Sequence, residues 1–127
     1  MLETAVVIDD QGHALHWHTP AGRTGGSLPD SGDLWEVLWT HRATLLGVAH
    51  THPGAGSPLP SREDVTTFAA VEAGLGVRLL WWIASSDQLA AFRYAGPGKY
   101  DYSAVAVPEE CPGWLAKLRA LSGYEER

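Results

Sequence analysis

Cysteine is nearly absent from this chain: Cys111 is the only one in 127 residues. That excludes a disulfide framework and a metal site built from thiolates. Positive charge is also scarce. Nine Lys and Arg face fifteen Asp and Glu, for a net charge of -6, and the cations are scattered. Nucleic acid is therefore not expected as a partner, because phosphate binding needs clustered Lys and Arg. No apolar run approaches the ~20 residues of a membrane span. The opening Met1-Leu2-Glu3-Thr4 lacks the basic region and apolar stretch of a secretory signal. A cytoplasmic protein with no membrane partner is expected. Internal repeats and low-complexity tracts are absent as well.

What is present is an ordinary globular composition, 45% hydrophobic and 19% charged, enough for one domain spanning residues 1–127. Six tryptophans supply bulky core material. The β-branched run Thr4 to Ile8 predicts a strand, Asp9 to Gly12 a turn, and His13 to His18 a returning strand. Thr19 to Gly32 is rich in glycine and reads as a loop near a site, with Ala21 to Gly32 as a candidate flap. Asp33 can cap a helix from Leu34 to Leu46, ended by Gly47. Val48 to His52 is a short strand stopped by Pro53.

A Gly/Pro loop then leads to a helix from Ser61 to Gly74. Val77 to Ala84 is apolar enough for a strand buried on both faces, with Trp81 and Trp82 on opposite sides. Leu89 to Tyr94 and Tyr102 to Val107 are further strands. Pro112 can open a last helix carrying Trp114, Leu115, Leu118 and Leu121 on one face. The order β-β-α-β-α-β-β-β-α predicts an α/β fold with one mixed sheet flanked by helices.

The chemistry-bearing stretch is His50-Thr51-His52-Pro53, followed by Pro60-Ser61-Arg62-Glu63-Asp64. Strand residues two apart share a face, so His50 and His52 can present imidazoles to one metal. Asp64, in the first turn of the next helix, can add a carboxylate. Two neutral nitrogens and one carboxylate leave a fourth tetrahedral position open, the catalytic pattern for zinc. Zinc lowers the pKa of its water to roughly 7. A separate carboxylate must then accept that water's proton and pass it to the leaving amine.

Simpler readings exist for each part. His-x-His recurs at His16-Trp17-His18, and Ser61-Arg62-Glu63-Asp64 also fits a helix capping box. With no carboxylate or cysteine at ligand spacing, His13, His16 and His18 are expected on an exposed hairpin. His41 is expected as a half-buried helix residue, and Glu63 and Glu72 as solvated ones.

The series His50-Thr51-His52-Pro53, Pro60-Ser61 and Asp64 resembles the JAMM (MPN+) motif of the JAB/Mov34 metalloprotease family, in its prokaryotic JAB-domain form. The resemblance covers roughly Glu3 to Tyr94. It implies a cytidine-deaminase-like fold and Zn2+ held by His50, His52 and Asp64. It also implies that Ser61 stabilises the tetrahedral intermediate and that an upstream glutamate is the general base. Glu3 is the expected base, with Glu36 as its rival. The implied activity is hydrolysis of an amide bond after the C-terminus of a ubiquitin-like or sulfur-carrier protein, by a zinc-activated water. An inactive interaction scaffold and a small-molecule amidohydrolase are the alternatives.

The spacer from Pro53 to Pro60 is slightly longer than is common in the family. Members also place a helix ahead of the glutamate strand. Here the helix around Trp114 is expected to cover that face, or else a partner does, and a homodimer is one such arrangement.

Overall fold

A computed structural model describes residues 1–124. Its elements follow the expected order: β1 (Ala5–Asp9), β2 (Ala14–His18), α1 (Gly32–Thr40), β3 (Leu45–Thr51), α2 (Arg62–Leu75), β4 (Leu80–Ala84), β5 (Leu89–Tyr94), β6 (Tyr102–Val105) and α3 (Leu115–Leu121). The six strands form one mixed sheet in the order β2-β1-β3-β4-β5-β6. Only β3 and β4 run parallel, with α2 as the crossover that parallel neighbours require.

The side chains of β1 explain its inner position. Ala5, Val6, Val7 and Ile8 are all buried, so both faces must be covered. Ala5, Val7, Val48 and Trp81 pack with Leu38 of α1 and with Phe68 and Leu75 of α2. Val6, Ile8, Ala49 and Trp82 pack with Trp114, Leu115 and Leu118. The adjacent tryptophans of β4 therefore serve opposite faces, as their alternation predicts. The C-terminal helix covers the second face.

Several boundaries differ from expectation; β6 also ends at Val105 rather than Val107, and α3 starts at Leu115 rather than at Pro112. α1 starts earlier, with Ser31 rather than Asp33 as its cap, since Ser31 Oγ accepts from Leu34 N at 3.1 Å. It also ends at Thr40 rather than at Leu46. A turn closes at Thr44, whose N donates to His41 O, and Asp10 N reaches Thr44 O, so Leu45 and Leu46 enter β3 beside β1. Gly47 is thus a strand residue, not a helix stop. A Cβ there would lie 1.7 Å from Leu80 O, so the close approach of β3 and β4 admits only glycine. β4 begins at Leu80 instead of Val77, because Leu79 N donates to the Glu72 carboxylate rather than to a neighbouring strand.

Candidate functional site

The sheet topology gathers the site at one end. β1 is antiparallel to β3 with Ala5 opposite His50, so the start of β1 lies beside the end of β3. The same register sets Glu3 across from His52, and residues two apart keep one face. That face carries α2, whose N-terminus follows the Pro53–Pro60 loop. Glu3, His50, His52, Ser61 and Asp64 accordingly line one cavity.

Within it, His50 Nε2 and His52 Nε2 are 3.1 Å apart. Asp64 Oδ2 lies 2.9 Å from His52 Nε2, and Asp64 Oδ1 lies 3.3 Å from His50 Nε2. One ligand atom from each residue falls within 4.8 Å of the other two, a group that could hold a metal ion. The donor chemistry fits zinc, with two imidazole nitrogens and one carboxylate oxygen turned toward a common point.

The capping box and the His-His-Asp cluster, alternatives in the sequence, coexist here. Ser61 N donates to Asp64 Oδ2 at 2.8 Å, and Asp64 N donates to Ser61 Oγ at 3.0 Å. The reciprocal box fixes the carboxylate where the histidines meet it. Burial raises the Asp64 pKa, but hydrogen bonds from His50, His52 and Ser61 N outweigh it and hold the carboxyl well below the usual range.

Glu3 is 8% exposed. Burial pushes its carboxyl pKa up, with the nearby histidines opposing and Asp64 adding to the rise. Glu36, the rival base, is exposed on α1 and does not line the cavity. Glu63 is exposed at the first turn of α2 and does line it. His41 caps the end of α1, half-buried.

Several residues near the site gave no warning in the sequence. The β3 end is backed by Thr51, whose hydroxyl accepts from Thr4 N at 3.0 Å and meets Ser122 Oγ at 2.9 Å. Tyr124 OH donates to His52 O, so the chain beyond α3 steadies the backbone at His52. The expected exposed hairpin needs correction at His18. It is 3% exposed, sits opposite Ala5 and lines the same cavity. Its Nε2 lies 2.6 Å from Pro29 O, and because a carbonyl only accepts, that nitrogen carries the proton. His13 remains exposed and His16 half-buried.

Glu72 also departs from expectation, being buried rather than solvated. The signal was available, because Phe68, Glu72 and Leu75 share one helical stripe. Among the described residues, no helix is long and apolar enough to cross a membrane.

No curated protein matches this chain. The sequence does match the family described as prokaryotic homologs of the JAB domain, over residues 5–95. The matched span opens just after Glu3 and contains His50, His52, Ser61 and Asp64. With most of its length so matched, and with the His-His-Asp cluster at the end of the central strands, the chain belongs to the family of prokaryotic homologs of the JAB domain.

Proposed function

We propose that this chain is a zinc-dependent amide hydrolase that cleaves after the C-terminal tail of a ubiquitin-like or sulfur-carrier protein. The observation that carries the reading is the convergence of His50, His52 and Asp64 in a cavity that also holds Glu3. The three converging residues hold the metal. When bound, zinc supplies Lewis acidity that activates water at neutral pH.

The chain's own groups do the rest. Glu3, two residues ahead of β1, accepts the proton of the attacking water and returns it to the departing amine. Ser61 Oγ already accepts from Asp64 N, so its O–H is free to donate to the developing oxyanion. The substrate tail lies extended in the cavity and pairs through its backbone. The reading includes a cytoplasmic setting.

The test is zinc content together with cleavage of ubiquitin-like and sulfur-carrier fusions. Wild type is expected to hold stoichiometric zinc and to cleave. Glu3→Gln should keep its zinc and lose about 10²–10⁴-fold in rate. Asp64→Ala should lose both. Wild type without zinc sinks the enzyme reading. Zinc without cleavage of any fusion turns the reading toward a scaffold or a small-molecule hydrolase. Full activity in Glu3→Gln removes Glu3 as the base.

A further inference from the structure

The cavity extends well beyond the histidine pair. Its volume is about 640 Å3, within the span of roughly 300–1,000 Å3 typical of built ligand sites. An amide and a water molecule need only its polar end. Much of the remaining lining is apolar: Leu34 and Leu38 from α1, Phe68 and Val71 from α2, and Val48 and Trp81 from the sheet. Phe68 and Trp81, both buried, stack with ring centroids 4.3 Å apart at the base of the cavity.

A further wall is the 19–31 segment, which contributes Leu28. It is tied down at three places. His18 Nε2 donates to Pro29 O. Glu3 N donates to Thr24 O at 2.8 Å. Arg23 Nη1 donates to Thr4 Oγ1 at 2.5 Å and to the carbonyls of Glu3 and Leu121, each at 3.3 Å. A glycine-rich stretch fastened this way forms a wall of the cavity.

We infer that this apolar part of the cavity is a specificity pocket. It receives the side chain of a residue flanking the scissile amide, so the substrate carries a bulky apolar residue beside the bond that is cut. The inference rests on the hydrolase reading above, because it is the metal-binding cluster in the same cavity that fixes where the amide lies. A substrate with glycine on both sides of the amide would leave the pocket empty. Moving one Leu or Phe side chain from water into such a pocket tightens binding by at least about tenfold.

Binding separates this inference from the hydrolase reading. Short peptides are made with the scissile amide replaced by a CH2–NH link and with Gly, Leu or Phe at either flanking position. Their affinity for the zinc-loaded chain is measured by calorimetry. The Leu or Phe peptide at one of the two positions is expected to bind at least about tenfold more tightly than its Gly counterpart. Val71→Trp, which fills the pocket, should bring that ratio close to one. Thr67→Trp does the same from an exposed helix position, where folding is not at risk.

Equal affinity for all the peptides overturns the inference, as does a preference that survives both variants. Cleavage of the matching amides without any preference leaves the hydrolase and removes the pocket. A preference without cleavage leaves the pocket and removes the hydrolase.

Discussion

Glu72 shows how one residue can be misjudged from its type. A glutamate on a helix is ordinarily solvated, yet this one is 3% exposed. Its Oε2 accepts from Leu79 N at 2.8 Å and from Trp81 Nε1 at 3.0 Å. Its Oε1 accepts from Arg78 Nη1 and from Tyr102 OH. Burial, with the Glu72 carboxylate beside it, pushes the Tyr102 hydroxyl pKa up, so that phenol stays a donor. Glu72 thus holds the entry to β4 and the indole of Trp81, one of the rings lining the cavity. Glu72→Ala leaves two buried donors without acceptors, at about 1–3 kcal/mol each. Urea unfolding should show that loss, while zinc content at His50, His52 and Asp64 stays unchanged. A loss below about 0.5 kcal/mol, the level of an ordinary surface change, would mean that water replaces the carboxylate.

Among the elements, β3 is the one whose sequence says two things at once. Its C-terminal half was legible, because His50 and His52 alternate with Thr51 and Pro53 stops the run. Its N-terminal half was not, because Leu45 and Leu46 continue the apolar periodicity of α1. The competition is settled by pairing with β1 and β4, a long-range effect that local periodicity cannot contain. Gly47 is the price of that pairing. Gly47→Ala would drive a methyl into Leu80 O and push β3 from β4, at or above the upper end of the ~1–3 kcal/mol typical of overpacking. Thermal melting and zinc binding are expected to fall together, since His50 sits on the displaced strand. A melting temperature equal to wild type would show that the strands can part without cost.

At the scale of the molecule, the candidate metal site ties two separate pieces of chain together, and a third lies beside them. β3 and the residue just after it supply His50 and His52, α2 supplies Asp64, and the segment entering β1 brings Glu3. Metal that binds only the folded chain stabilises it by mass action, about 2.7 kcal/mol at a hundredfold excess over Kd. Zinc should therefore raise the melting temperature of wild type, chelation should reverse the rise, and Asp64→Ala should show none. An equal rise in Asp64→Ala would place the bound zinc elsewhere, at His13 or His16 for example.

The chain's sequence by itself determined the order of its elements, the trio His50, His52 and Asp64 that could hold a metal, the serine at the head of α2 and the family. Those features depend on residue type and short spacing, which local physics reads directly. Only the tertiary structure decided that His18 lies in the cavity, that α3 covers the second face of the sheet, and that Glu3 rather than Glu36 lies near the histidines. Each of these follows from strand register and packing between distant segments. A one-residue change of register would turn every side chain of a strand to the other face, and no local pattern records that choice.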